Sequence, residues 1–125
     1  MFKRVGKYNN TITKHKDGTV TRSNRESRFK KKLDLLKIPY EQEKVFTIHE
    51  KYRYKGEAVR AITYKLDFLI AGIYAVEIKG FAHEVGKLKW KMFVHQYMDE
   101  YDCVFLPDVK AENEFLSMLA TKFGK

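Results

Sequence analysis

A single cysteine and only two prolines stand among 125 residues. One cysteine excludes an internal disulfide framework and fits a reducing cytoplasm. Cys103 lies in the apolar run Cys103-Val104-Phe105-Leu106, so it reads as core rather than as a nucleophile. The four histidines (His15, His49, His83, His95) show no zinc spacing with one another or with Cys103. No apolar run reaches the roughly 20 residues that a membrane span requires. The opening Met1-Phe2-Lys3-Arg4-Val5-Gly6 has no apolar signal-peptide core, so a cytoplasmic protein without a membrane partner is expected. No internal repeat, low-complexity tract or domain boundary is visible. Acidic residues are outnumbered: 16 Asp and Glu stand against 25 Lys and Arg, a net charge of +9. Such a surplus favours a polyanionic partner, with nucleic acid first. Apolar residues make up 44%, which excludes a disordered chain and supports one globular domain with a modest core.

Residues 1–22 read as a basic arm with Lys3, Arg4, Lys7 and Tyr8, followed by a small hairpin. Its two-residue turn is expected at Asp17-Gly18. The main domain is expected over 23–125. Ser23 and Glu26 have the spacing of a capping box, opening a helix that runs to about Lys37, before Pro39. Phe29, Leu33 and Leu36 share one face of it. Glu26 extends that face backwards, either as a cap or as a carboxylate looking into a polar pocket. Residues 41–48 read as a strand. Residues 49–59 read as a charged connection with Gly56 in the turn of a hairpin tip. Lys51, Arg53 and Lys55 alternate there with Tyr52 and Tyr54, as a solvated loop or as a DNA-facing surface.

Residues 60–70 are expected as one strand. Ile62, Tyr64, Leu66, Phe68 and Ile70 would lie on one face, with Ala61, Thr63, Lys65, Asp67 and Leu69 on the other. A helix over 84–97 carries an apolar row of Val85, Leu88 and Met92, with Trp90, Phe93 and Tyr97 beside it. The same helix is studded with Lys87, Lys89 and Lys91. A strand over 102–106 ends at Pro107, and a helix over 109–122 has Asp108 as a plausible N-cap. This order predicts an α/β sandwich with a central mixed sheet flanked by helices.

The stretch from Leu66 to Gly80 is the most pointed in the chain. It reads as two buried strands around a turn at Ala71-Gly72, with three charges inside: Asp67, Glu77 and Lys79. A three-residue loop, Ala71 to Ile73, would set Asp67 opposite Glu77, whereas a two-residue loop would separate them. Glu-x-Lys on a strand is ordinarily a solvated face with a weak ion pair. Two carboxylates converging on an apolar hairpin, however, are costly without a cation between them. Hard oxygen ligands suit Mg2+.

A Glu in the first helix, Asp67 in one strand and Glu77-x-Lys79 in the next resemble the PD-(D/E)XK nuclease superfamily. Leu66 stands where the superfamily name has Pro, a position without a chemical role. Three runs, Arg60 to Phe68, Val76 to Phe81 and Lys87 to Phe93, also resemble a family of small phage-encoded proteins known as a domain of unknown function. Asp67-Phe68-Leu69, the ten-residue step to Glu77 and the Glu77-x-Lys79-Gly80 ending are similar, more distantly, to phage endonuclease I junction resolvases.

The resemblance implies a restriction-endonuclease-like fold and catalytic positions at Glu26, Asp67, Glu77 and Lys79. Asp67, Glu77 and the Ile78 backbone carbonyl would hold Mg2+, with Mn2+ as a substitute. Glu26 would hold a second metal or a metal-bound water. Lys79 would orient the attacking water and offset transition-state charge; beside two carboxylates its ammonium form is favoured, so it is not assigned as the base. Lys3, Arg4, Lys7, Lys51, Arg53, Lys55, Lys87, Lys89 and Lys91 would contact DNA. The expected activity is Mg2+-dependent DNA cleavage leaving 5′-phosphate and 3′-hydroxyl ends, on branched DNA such as a four-way junction, by a homodimer in a phage-infected cytoplasm. The rivals are a non-enzymatic DNA-binding module, and a nicking or duplex nuclease of phage replication or packaging.

Overall fold

A computed structural model describes residues 13–14, 20–21, 24–78 and 83–124. The first helix, α1 (Asn24–Leu36), buries Phe29 and Leu33. It ends in a Schellman turn: Ile38 N–H donates to the Leu33 carbonyl at 3.2 Å and Lys37 N–H to that of Asp34 at 3.1 Å. Lys37 takes the left-handed conformation there, φ 58°, where glycine is usual. Before α1, β1 (Thr13–Lys14) pairs antiparallel with β2 (Val20–Thr21). The expected hairpin is therefore present, but its register is centred on Asp17, because Lys14 pairs with Val20. A two-residue Asp17-Gly18 loop would pair Lys14 with Thr21; the turn itself lies outside the described residues.

After α1 the chain forms β3 (Tyr40–Gln42), β4 (Val45–His49), β5 (Tyr52–Tyr54), β6 (Glu57–Val59), β7 (Ile62–Lys65), β8 (Phe68–Ile70) and β9 (Tyr74–Ile78). It closes with α2 (Glu84–Tyr97), β10 (Asp102–Leu106) and α3 (Val109–Phe123). The central sheet has the order β10-β9-β8-β3 and is mixed. β9 and β10 run parallel, joined by the crossover through α2, and the other pairs are antiparallel. β4 pairs with β7, and β5 with β6. The helices flank the sheet, so the fold is an α/β sandwich.

Two cores fill it. α1 and α3 bury Phe29, Leu33, Phe115 and Leu119 against Phe68, Ile70, Val76 and Ile78 on one face. On the other, Phe93 of α2 packs with Phe46, Ile48, Tyr64, Leu66, Leu69 and Ala75. Asp108 caps α3 by accepting from Ala111 N–H at 2.8 Å. Arg25 ties α1 to α3, donating to the Glu112 carboxylate and to the carbonyls of Leu106 and Pro107.

Three expectations change. The strand over 60–70 is broken at Leu66-Asp67, and the strand over 41–48 is broken opposite it at Glu43-Lys44. Glu43 is left-handed there, φ 54°. Its N–H donates to the Asp67 carbonyl at 3.2 Å, and Leu66 N–H donates to that of Lys44 at 2.9 Å. The break shifts the alternation by one residue. Tyr64 and Leu66 therefore face α2, whereas Phe68 and Ile70 face α1 and α3. On α2, Val85 and Leu88 are exposed at 61% and 58%. The helix presents the stripe of Trp90, Phe93 and Tyr97 to the sheet instead.

Candidate active site

The β8–β9 hairpin sets the site. Ala71 and Gly72 are both left-handed, φ 55° and 68°, and Ile73 N–H donates to the Ile70 carbonyl at 2.9 Å. Phe68 pairs with Val76, Leu69 with Ala75 and Ile70 with Tyr74, which leaves a three-residue loop. The register continues to put Asp67 opposite Glu77, the outcome of the three-residue loop and not of the two-residue one. Asp67 stands where the strand breaks, at the end of β8, and its Oδ2 accepts from the Ile78 N–H at 2.8 Å. The α2-facing side of β9 carries Ala75 and hence Glu77. The end of the sheet at Asp67 is also where the first turn of α1 arrives from the opposite face, bringing Glu26.

Three carboxyls meet there. Asp67 is in side-chain hydrogen-bonding contact with Glu26, and Glu77 with Asp67. Burial, the charge of Glu77 and that of Glu26 push the Asp67 carboxyl well above its ordinary range, and the Ile78 N–H opposes the rise only in part. Glu77 is pushed up to about 7, first by burial, against the hydrogen bonds it receives, with Glu26 adding to the rise. Such a group shares protons at neutral pH or takes a cation. Glu26 thus touches Asp67 in this structure. Ser23, its partner in the capping reading, lies outside the described residues.

One functional side chain escaped the sequence reading. The Tyr64 hydroxyl donates to Glu77 Oε1. Its ring packs against Phe93 at 5.3 Å and Trp90 at 6.1 Å between centroids. Burial foremost, then the neighbouring Glu77 charge, raises its phenol far above the usual range, so it stays a donor. Strict alternation puts Tyr64 on the face opposite Asp67. Only the break at Leu66-Asp67 brings the two together, and no residue type at that point signals it.

Lys79 and the arm residues Lys3, Arg4 and Lys7 lie outside the described residues. Ile78 contributes its amide N–H to Asp67. Lys51, Arg53 and Lys55 are exposed on the β5–β6 ribbon, Lys87 and Lys91 are exposed on α2, and Lys89 is half-buried. Among the described residues, no group of three or more His, Cys, Asp or Glu side chains is set out to hold a metal ion. The donors nevertheless suit Mg2+ in kind. They are hard carboxylate oxygens, and they are crowded in a half-buried place where their charges need compensation.

Fold and site together define an α/β sandwich with a half-buried three-carboxyl centre at the end of its sheet. The family model described as "Protein of unknown function (DUF1064)" matches residues 5–106, and the chain belongs to that family. The match spans Glu26, Asp67, Glu77 and Lys79, together with α2, and stops where β10 ends. No curated protein and no solved structure matches the chain.

Proposed function

We propose that the chain is a metal-dependent endonuclease of the PD-(D/E)XK type, hydrolysing DNA phosphodiesters. The observation that carries this reading is the convergence of Glu26, Asp67 and Glu77 at a strand break in a protein of net charge +9. A half-buried acid centre inside a basic protein repels the phosphate it would have to meet unless a cation lies between them. Asp67 and Glu77 would hold Mg2+, with Glu26 on a second ion or a coordinated water. When bound, Mg2+ would supply Lewis acidity and a water acidic enough to attack at neutral pH.

The chain's own residues do the rest. The Ile78 amide fixes the Asp67 carboxylate, and the Tyr64 hydroxyl fixes Glu77 in the rotamer that meets it. Lys79, two residues on, would place its ammonium beside the phosphate, where transition-state charge builds up. Exposed lysines would bind the DNA backbone and its shape, since no helix-turn-helix or zinc finger reads bases. Branched DNA cut by a homodimer is the substrate reading that we carry forward. A four-way junction needs two paired cuts, and a 125-residue chain offers one centre.

The test is incubation with Mg2+ and labelled four-way junctions, flaps and linear duplexes, beside an EDTA control. Cleavage that requires the metal and leaves 5′-phosphate ends is expected, strongest on the branched substrates. DNA binding without cleavage in Mg2+ or Mn2+ overturns the nuclease reading in favour of a binding module. Equal cutting of linear duplex overturns the branched preference alone.

A further inference from the structure

We propose that the β5–β6 ribbon is a base-stacking finger, with Tyr52 and Tyr54 lying on unpaired bases of the DNA while Lys51, Arg53 and Lys55 hold the adjoining phosphates. The inference rests on the DNA reading above and names which DNA the site prefers. Tyr52 and Tyr54 are exposed at 49% and 62%, although tyrosine is a residue with a large apolar face to cover. Two apart on a strand, they share one side of the ribbon, and Arg53 takes the other. Val59 pairs with Tyr52 and Glu57 with Tyr54, so the tyrosine side carries an apolar neighbour and an acid. An acid there repels phosphate and leaves that side to bases, whereas the opposite side is basic. Base faces stack on aromatic rings without regard to sequence, which suits a protein with no base-reading motif.

The ribbon is also stiff. Lys55 and Gly56 form a tight turn with both φ positive, 50° and 80°, and Arg53 Nη2 donates to the Gly56 carbonyl at 2.8 Å. Lys55 Nζ lies over the Tyr54 ring, 5.4 Å from its centre, which holds a cation at the stacking surface itself. His49 closes the ribbon's base, 5.6 Å from the Tyr52 ring centre. The ribbon continues the β4–β7 pair, and β7 carries Tyr64, which bonds Glu77. From Val59 to Tyr64 is about 16 Å of extended chain at roughly 3.3 Å per residue. Tyr54 lies two residues further out, opposite Glu57, so the finger meets bases at most about seven nucleotides from Tyr64, at 3.4 Å per nucleotide. Unpaired bases so close to a scissile phosphate occur at forks, flaps and opened branch points, not in intact duplex.

The experiment measures binding in EDTA, so that no strand is cut, to a fork with single-stranded arms and to a duplex of equal length. The fork carries 2-aminopurine at successive arm positions. Wild type is expected to favour the fork and to quench the probe over a short stretch of the arm. Y52A/Y54A, with an unchanged melting temperature, loses the quenching and at least about 30-fold in fork affinity, as expected for two lost stacks. Its duplex affinity falls by less than about threefold, since the phosphate contacts remain. Y52F/Y54F keeps the rings and restores both readouts. A variant that binds the fork and quenches like wild type overturns the finger while leaving the nuclease reading intact. Wild type that binds no DNA overturns both. Altered self-association in place of altered DNA binding overturns the finger and assigns the ribbon to a protein interface.

Discussion

The molecule contains two hairpins with nearly the same turn chemistry and opposite surroundings. In one, Lys55-Gly56 is left-handed at both residues; in the other, Ala71-Gly72 is. The first leaves two residues in its loop, with Tyr54 pairing Glu57, and every residue of β5 is exposed. The second leaves three, with Ile70 pairing Tyr74, and every residue of β8 is buried. Turn chemistry therefore decides how each chain segment reverses but not what the hairpin does. The apolar content of Phe68-Leu69-Ile70 and Tyr74-Ala75-Val76 draws the second hairpin between two helical layers, where carboxyls become hard to ionise. The Tyr-Arg-Tyr-Lys content of the first leaves it in water, where charges remain free to meet a polyanion. On the proposed reading, one hairpin holds chemistry and the other a partner.

The largest effect should come from the buried hairpin. Asp67→Ala or Glu77→Ala should lower cleavage by on the order of 1000-fold or more, the several kcal/mol that a catalytic cation contributes. DNA binding should persist or tighten, because negative charge near phosphate is removed. Gel-based cleavage at saturating DNA, paired with anisotropy binding, checks this. Wild-type rates in both variants would sink the site.

Next is stability against pH, which separates the hairpins because only the buried one carries a strongly raised carboxyl. Glu77 is raised from its ordinary 4.5 to about 7, and Asp67 moves in the same direction. The fold thus favours their neutral forms. That stability is fully present below about pH 4.5 and is lost as pH rises through about 7. In EDTA, unfolding free energy should fall over this window by on the order of 3 kcal/mol for Glu77. Mg2+ should recover much of the loss at pH 8 by favouring the ionised carboxylates. Urea melts from pH 5 to pH 8, with and without Mg2+, read this directly. Stability that is flat or rises with pH, without a Mg2+ effect, would mean that the carboxyls are neither crowded nor metal-binding.

The two apolar strands of the buried hairpin and its turn at Ala71-Gly72 were legible, but its register was not, because two- and three-residue loops were both open and only the latter brings Asp67 to Glu77. Helix α2 and strand β10 were legible from periodicity and from Pro107, and Asp108 from its capping chemistry. What stayed hidden has a common physical cause. Glu43, Lys37 and Ala71 hold positive φ without being glycine. Tertiary packing imposes a conformation there that the residue type does not announce. The break opposite Glu43 is what turns Tyr64 toward Glu77, so the best-placed partner of the site lay beyond any alternation rule. The α2 face was misjudged because two apolar stripes adjoin on that helix, Val85-Leu88 and Trp90-Phe93-Tyr97. Helical periodicity cannot say which of two adjoining stripes the sheet selects.

The glycines give a finer contrast. A Cβ at Gly56 or at Gly72 meets no heavy atom within 4 Å, so Gly→Ala at either costs backbone strain alone. Each should destabilise by about 1 kcal/mol, because both residues are left-handed. Consequences for function should differ. Gly72→Ala disturbs the loop that sets Asp67 opposite Glu77 and should lower kcat. Gly56→Ala disturbs the finger and should raise the apparent Kd for forked DNA. Equal effects of the two on kcat would deny that the hairpins have separate tasks.

The smallest expected effect lies on α2, beside the buried hairpin. Its three lysines are not equivalent. Lys87 and Lys91 are four residues apart, on one exposed side of the helix, and Lys87 pairs with the exposed Glu84 at 3.8 Å. Lys89 is roughly 200° round from Lys87 and shares the stripe of Phe93. Phe93 packs on Tyr64, whose hydroxyl holds Glu77. Lys89 is also one turn nearer than Phe93 to the end of α2 that follows β9, so it lies on the side of the helix toward the site. Lys87→Ala and Lys91→Ala should each reduce the salt slope of duplex binding by about 0.9 per lost phosphate contact, and leave kcat unchanged. That amounts to roughly three- to fourfold in affinity between 50 and 200 mM salt. Lys89→Ala should lower kcat as well, because its charge lies toward the scissile phosphate rather than the flanking backbone. Salt titrations of binding beside single-turnover cleavage distinguish the two kinds of lysine. Three indistinguishable variants would mean that α2 meets the DNA along one face, with its sheet side taking no part.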